Sequence, residues 1–478
     1  MEGAKVDSWG SVLRSATQFF SGTFLSRLSG GIRDMVMAYT FGVEPALSLF
    51  LLSFRLSHLF RRVFGEGPFQ SAFIPEFEAL RHLSQERAFG FFCELRWMLG
   101  VGLAGLVALL MGGCFLAQNF VEGDWQRVLE LTFWMLPSLW FICLFGLHAG
   151  LLQCEKNYFL PSVAPVAFNT FWITTVAWIG WIQPQDPMKT LAFGMIGACA
   201  FQWAITLPTI HHLVKKGLGS TSWWCGVRGC ASDLWGLIRG ISFGVVGVAS
   251  SQVNQLLDVL FAKWADASGP AVLWFAARLE QLPIALFGVA LAGSLLPPLS
   301  RALRSGQMIQ YHVFLERSLK VVAGLFIPLT GFLLLFGREV VTLIYARGHF
   351  QAEAVLETTL CLRGYVVGLI PAVAVLVLAP ALYAKKKYHI PAFLSSGAVL
   401  MNMGLNAFFI YHMGWGVFSV ALATSLTAWV HLFGLVMVMK KEGLFIWPTA
   451  FGYFLRDMFF GSSLACGFLW IYKNIFII

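Results

Sequence analysis

The chain has 478 residues, 58% of them hydrophobic and 12% charged, with a net charge of +9 and a mean hydropathy of +0.73. A soluble domain carries roughly 25% charged residues, so this composition excludes an ordinary soluble protein and indicates an integral membrane protein. Nine cysteines are scattered without a Cys-x-x-Cys pair, and Cys225 and Cys230, the only close two, fall in a loop predicted to face the cytoplasm, where a disulfide is not expected.

Apolar runs of about 20 residues, each long enough for a hydrocarbon core of roughly 30 Å, recur along the whole chain. In order they cover 15–40, 45–64, 90–117, 127–152, 159–182, 189–213, 236–262, 271–299, 318–337, 358–383, 390–412, 415–439 and 449–474. The expected fold class is an all-α polytopic membrane protein of about 13 transmembrane helices. The first run is read as a span and not as a cleavable signal, because it carries Arg27, Arg33 and Asp34 where small residues would be needed. It also contains Gly22, Gly30 and Gly31, while span 8 contains Gly288, Gly293, Pro297 and Pro298 and span 10 contains Pro371 and Pro380. Such interruptions are tolerated where freed backbone groups face protein or a wet cavity, and they suggest hinges.

Lys and Arg set the orientation. Loops after even-numbered spans hold fifteen of them, including Arg61, Arg62, Lys215, Lys216, Lys385, Lys386 and Lys387; loops after odd-numbered spans hold five, Arg127, Lys189, Lys263, Arg338 and Arg347. The even loops and the N-terminus are therefore expected in the cytoplasm, and the thirteenth span leaves the C-terminus outside. This asymmetry accounts for the basic balance without a nucleic-acid partner.

The polar stretch from Lys215 to Asp233 divides the spans six and six. It sets an expected N-terminal lobe at 1–217, a cytoplasmic linker at 218–232, a C-terminal lobe at 233–441 and an additional span within 442–478. Aligning Arg55–Pro75 with Arg278–Pro298 matches Arg55/Arg278, Leu56/Leu279, Leu59/Leu282, Phe64/Phe287, Gly65/Gly288, Ser71/Ser294 and Pro75/Pro298. Six crossings separate the copies, so both run the same way and the lobes are expected to be related by a parallel pseudo-twofold repeat, a plan used by rocking transporters.

Four arginines, Arg27, Arg33, Arg55 and Arg278, lie inside or at the mouths of spans. A guanidinium in lipid is costly, so the expected role is binding of an anion; the competing readings for span 1 are snorkelling and pairing with Asp34. A second group is acidic and amide: Asp258 within Gln252-x-Asn254-Gln255-x-x-Asp258, Asn402 and Asn406 one turn apart, and Thr424. Oxygen ligands from several helices suit a hard monovalent cation or a proton; the competing reading is interhelical hydrogen bonding. Arg363, His148 and His431 are read as packing residues.

Ser26-Arg27, Gly30-Gly31-Ile32-Arg33-Asp34, Phe41-Gly42, Phe54-Arg55-Leu56, the block Leu59-Phe60-Arg61-Arg62-Val63-Phe64-Gly65-Glu66-Gly67 and Ala72-Phe73-Ile74-Pro75 together resemble the MurJ (MviN) family. Asn157-Tyr158-Phe159-Leu160-Pro161 with Asn169, Ala277-Arg278-Leu279 with Pro283, Tyr345-Ala346-Arg347-Gly348-His349-Phe350 and Ala423-Thr424-Ser425-Leu426 extend the resemblance over residues 10 to 440. Members are lipid II flippases of the multidrug/oligosaccharidyl-lipid/polysaccharide exporter superfamily. The resemblance implies a non-enzymatic transporter of the bacterial inner membrane that moves the undecaprenyl-diphosphate-linked muropeptide to the outer leaflet by alternating access. Its partners would be lipid II, membrane lipids and cell-wall synthesis proteins.

The implied substrate-binding residues are Arg27, Arg33, Arg55 and Arg278, with Arg61, Arg62 and Glu66 as candidates for an entry or gate. Guanidinium suits a diphosphate because it stays protonated and binds bidentately. The resemblance implies no cofactor, but coupling to Na+, to a proton or to the membrane potential. Some members bind sodium, which here maps onto Asp258, Asn402, Asn406, Thr424 and the Val420 carbonyl. Two departures stand out. Ser48 and Ala277 occupy positions that are usually acidic, and one span follows residue 441 where members tend to have two that form a groove for the lipid tail, so either the groove is reduced or the sequence stops short of it. The alternatives are an exporter of another polyprenyl-linked saccharide, a multidrug exporter, which would favour carboxylates, and a membrane enzyme acting on polyprenyl phosphates. No Asp-x-x-Asp or His-x-x-x-His cluster supports the last.

Overall fold

A computed structural model describes residues 9–59, 61, 68–218, 251–288, 291, 299, 301–303, 305–385, 387, 389–445, 452–463 and 467. Among these, every regular element is helical. The predicted linker from residue 219 on, the first half of span 7, Pro297, Pro298, Arg62 and Glu66 lie outside the described residues. The chain forms two compact units, one of residues 1–40 with 49–252 and one of 41–48 with 253–478.

The first unit contains α1 (Trp9–Phe41), most of α2 (Pro45–Ser57), α3 (Pro68–Leu83), α4 (Gln85–Ala117), α5 (Asp124–Met135), α6 (Ser138–Cys154), α7 (Phe159–Ile182), α8 (Pro187–Ala204) and α9 (Leu207–Leu218). The starts follow helix-end chemistry. The Ser84 hydroxyl accepts from the Arg87 N–H at the head of α4, and Asp186 accepts from the Lys189 N–H with Pro187 behind it at the head of α8. Both side chains satisfy amide groups that a helix leaves unpaired at its N-terminus. The predicted span 127–152 is broken: α5 and α6 meet at 44° around Pro137, whose ring cannot donate to the preceding turn. The core of this unit is a phenylalanine cluster, with Phe73, Phe77, Phe89, Phe91 and Phe92 at most 2% exposed.

α1 meets α7 through Gly22. A Cβ there would lie 2.0 Å from the Ser162 hydroxyl and 3.1 Å from the Val163 backbone nitrogen. Gly22→Leu is therefore expected to force the helices apart and to cost about 1–3 kcal/mol. Thermal unfolding in detergent is the check, and an unchanged midpoint would refute the contact.

At one end of this unit Arg127 bridges Glu130 and Asp186, and Lys189 lies 4.8 Å from the centre of Trp134. Burial acts to raise the Asp186 pKa, but the Arg127 hydrogen bond, the Lys189 N–H and both cations hold it below its ordinary 3.8. A depressed carboxylate stabilises the fold above its unfolded pKa and loses that contribution as pH falls through the folded value. Asp186→Asn keeps the helix cap but loses the charge. It is expected to lower stability by about 0.5 kcal/mol at pH 7, since the pair is one-third exposed, with the two proteins converging below about pH 4. Melting curves that stay parallel down to pH 3 would rule this out.

The second unit contains α10 (251–265), α11 (Gly269–Pro283), α12 (Met308–Tyr345), α13 (Ala352–Val366), α14 (Leu369–Ala384), α15 (His389–Ala407), α16 (Phe418–Lys441) and α17 (452–463). Its core joins Tyr311, Leu315 and Phe326 of α12 to Val373 and Val377 of α14 and Leu435 and Met439 of α16. Close approach of α13 and the head of α14 to α16 depends on Gly364 and Gly368, where a Cβ would fall 2.9 Å from Ala421 Cβ and 2.6 Å from Ser425 Oγ respectively. The Ser425 hydroxyl lies 2.6 Å from the Gly364 carbonyl. Small residues one turn apart with a hydroxyl between them are a membrane packing device.

α11 and α15 each end in a five-residue π turn, Ile284–Gly288 and Phe408–His412. Residues 41–48 pack with this unit. Gly42 has φ +57° and would place a Cβ 2.4 Å from the His349 carbonyl, and the Ser48 hydroxyl accepts from the Ala271 N–H at 3.1 Å. Ser48, at a position expected to be acidic, thus shares with the Ser268 carbonyl, at 3.0 Å, an amide in the first turn of α11.

Eight helices among the described residues are long and apolar enough to cross a bilayer, nine if α5 and α6 form one broken span. α1, with its internal charges, and the 13-residue α2 are not among them.

Candidate functional site

Charge inside the first unit centres on Arg33, which is 8% exposed. Its Nε and Nη2 donate to one oxygen of Asp34 at 3.1 and 2.8 Å, and its Nη1 donates to Asn169 Oδ1 at 3.1 Å. Asn169 is fully used, because its Nδ2 donates to the Ser29 hydroxyl at 2.9 Å and the Ser26 carbonyl at 3.3 Å. The guanidinium also lies over the indole of Trp172 at 5.2 Å. α1 and α7 therefore hold a fixed cation with a fixed edge. The pairing with Asp34, weighed above as the competing reading, is present; it neutralises the charge inside the membrane while leaving a guanidinium that an incoming anion can engage by exchange.

Arg27 does not share this cluster. Six residues advance an α-helix by about 600°, leaving the two side chains about 120° apart, and Arg27 is exposed. Arg55 is half-buried in the last turn of α2, where a cation favours the helix C-terminus. Arg61 is half-buried just beyond it, its backbone N–H bonded to the His58 carbonyl at 3.1 Å. In the second unit Arg278 is half-buried on α11 with its Cζ 4.0 Å from the centre of the Trp274 ring. Arg363 donates to the Leu334 carbonyl at 3.0 Å and ties α13 to α12, a packing contact. His148 is buried with Nδ1 2.8 Å from the Thr206 hydroxyl.

The acidic and amide residues of the second unit meet. Asp258, 6% exposed on α10, receives Asn402 Nδ2 at 2.8 Å and Asn406 Nδ2 at 3.0 Å on one oxygen, and the Thr424 hydroxyl at 3.2 Å and Asn254 Nδ2 at 3.3 Å on the other. Asn402 also reaches Asn254 Oδ1 at 2.9 Å, and Thr424 Oγ1 lies 3.1 Å from the Val420 carbonyl. The amide oxygens of Asn402 and Asn406 are buried and lack a hydrogen-bond partner. Two orphaned acceptors beside a carboxylate, a hydroxyl and a carbonyl form an oxygen set that fits a monovalent cation: turning either amide would bring its oxygen to the carboxylate, which is favourable only with positive charge between them.

Sequence patterning had placed Asn254 on the polar side of its helix without assigning it a role. It missed Asn169 and Trp172, which lie far from Arg33 in the chain, although a lone Asn in an apolar span is a visible signal.

A groove of 1090 Å³ lies in the second unit between α12, α14, α16 and α17. Its walls are apolar, among them Val322, Leu334, Leu378, Leu432, Phe433 and Phe459.

Residues 37–477 match the family described as Lipid II flippase MurJ. The probable lipid II flippase MurJ of Chlamydia trachomatis serovar D is 33% identical over 427 residues, covering 89% of this chain and 78% of that protein. That of Vibrio cholerae is 26% identical over 475 residues, covering 96% and 88%. Among solved structures, a lipid II flippase MurJ in an inward closed conformation superposes with a TM-score of 0.79 at 22% identity, covering 96% of this chain and 93% of that one. An inward-facing multidrug resistance MATE family transporter gives 0.69 at 15%, covering 87% and 95%. At these identities the two structures speak for the fold alone.

Proposed function

Because this chain belongs to the lipid II flippase MurJ family, we propose that it carries lipid II from the inner to the outer leaflet of the bacterial inner membrane by alternating access, with its N-terminus in the cytoplasm and without catalysing a covalent step. The observation that carries the reading most directly is the buried, oriented guanidinium of Arg33. A cation held on a rigid support inside an apolar bundle is matched to an anion, and a diphosphate supplies several acceptor oxygens to its planar edge. In the second unit Arg278 is a half-buried cation beside Trp274, and Arg27, Arg55 and Arg61 are further cations of the first. The apolar groove between α12, α14, α16 and α17 suits a polyisoprenoid tail. Leu432→Glu is expected to weaken binding of a polyprenyl diphosphate while sparing inorganic pyrophosphate, and equal loss of both would remove the tail from this groove.

Asp258, Asn402, Asn406, Thr424 and the Val420 carbonyl would hold a sodium ion, and Asn254 supports the carboxylate from one turn away. A bound cation supplies the positive charge that the five-residue oxygen set lacks, so its occupancy can bias the second unit between states.

The function is tested by the outer-leaflet accessibility of labelled lipid II in cells depleted of their own flippase and supplied with this protein. Rescue by the intact chain, lost in Arg278→Ala at equal membrane level, is expected. No rescue by well-inserted intact protein would overturn the substrate, and full rescue by Arg278→Ala would remove that residue from the site.

A further inference from the structure

Two of the four arginines lie against indole rings, Arg33 at 5.2 Å from the centre of Trp172 and Arg278 at 4.0 Å from that of Trp274. Both tryptophans are buried, at 1% and 5% exposure. The two pairs arise by different routes. Trp274 precedes Arg278 by one turn on α11, so helical spacing alone stacks them. Trp172 stands on α7 and Arg33 on α1, so that pair is made by tertiary packing. The Trp172 ring is itself wedged by Phe50 at 6.0 Å and 90°, Phe54 at 5.7 Å and 74°, and Phe168 at 5.4 Å and 57°.

A guanidinium has two chemically distinct surfaces. Its five N–H groups all point outward in its plane, and its faces carry charge without donors. An indole against one face stabilises that charge where water is scarce and consumes no hydrogen bond. The edge stays available, and in Arg33 it holds Asp34 and Asn169. A phosphate oxygen can replace the carboxylate oxygen on that edge while the ring contact persists.

We propose that Trp172 and Trp274 are positioning residues for anion capture, each within its own unit: the ring braces an arginine without using its N–H groups, which can then exchange their partners for a phosphate oxygen. This role rests on the reading of Arg33 and Arg278 as substrate ligands.

The test uses the full-length protein in lipid nanodiscs with undecaprenyl diphosphate as probe and undecaprenol as the uncharged control. Trp172→Leu and Trp274→Leu are each expected to weaken diphosphate binding roughly 2- to 30-fold without altering undecaprenol binding, and Phe at either position restores part of the loss. Tetrafluorotryptophan placed at 172 or 274 keeps the ring's shape but drains its charge, so it separates bracing from packing and carries the test if a leucine variant does not accumulate. A drop in diphosphate affinity with the fluorinated ring, together with no further loss when Trp172→Leu is added to Arg33→Ala, supports the proposal. Unchanged affinity with the fluorinated ring, or fully additive losses, overturns it. If Arg33→Ala and Arg278→Ala bind the diphosphate as tightly as the parent, the reading of the arginines as ligands fails instead.

Discussion

Arg33→Ala is expected to abolish flipping and to destabilise the first unit by about 3–5 kcal/mol, the cost of breaking a buried ion pair by removing one member. Asp34 is 3% exposed and gives one carboxylate oxygen to two N–H groups of Arg33. Without them that oxygen loses two charged donors, and Asn169 Oδ1 loses the Arg33 N–H. The two effects separate in Arg33→Ala/Asp34→Ala, which removes both charges. That double variant should regain most of the lost stability, measured by thermal unfolding, and remain inactive in the lipid II accessibility assay. Recovery of flipping by the double variant would show that Arg33 serves only to neutralise Asp34. Arg33→Lys keeps the charge but loses the fork, so it should retain the fold and flip poorly.

Asp258→Ala has the second large effect. It strips the acceptors from Asn254, Asn402, Asn406 and Thr424 at once, and a buried donor left unpaired costs about 1–3 kcal/mol. Asn402 keeps the Asn254 oxygen and Thr424 the Val420 carbonyl, so the total should stay near 2–6 kcal/mol, which is about two such donors. The ion reading adds a sharper expectation. Above its dissociation constant, each tenfold rise in sodium should stabilise the intact protein by about 1.4 kcal/mol, and Asp258→Ala should show no such rise. Equal stabilisation by choline at matched ionic strength would reduce the cluster to interhelical hydrogen bonding.

Much of this arrangement was legible before any coordinates. Span 159–182 is reproduced residue for residue by α7, because an unbroken apolar run lies between Tyr158 and the left-handed turn at Gln183. Asp258, Asn402, Asn406 and Thr424 converge as expected, since charge and amides in apolar helices advertise themselves. What sequence could not supply were contacts made across the fold. Asn169 reaches Arg33 over 136 positions and the Trp172 ring centre lies 5.2 Å from its Cζ, and no local period encodes either. Arg27 and Arg33 share a span in the sequence, but helical geometry turns Arg33 inward and leaves Arg27 exposed, a difference that charge in an apolar run does not reveal. Ser48 shows the converse, since a position expected to be acidic offers a hydroxyl to the Ala271 N–H, a contact that only the folded neighbour explains.

α12 begins at Met308, although its apolar run begins near 318. Its first turns carry Gln310, His312, Glu316, Arg317 and Lys320, and its last two turns carry Arg338 and Glu339. Between Lys320 and Arg338 the greasy stretch spans about 26 Å, short of a bilayer core of roughly 30 Å, while the whole helix is about 57 Å long. The charges of the helix all lie in the turns outside this stretch, set among apolar residues, so they fix where the helix can meet the membrane surface. The mismatch falls on the lipids, which must thin around this rod or be met by the long stems of Lys320 and Arg338. Membrane thickness thus becomes a variable to which the second unit is mechanically sensitive.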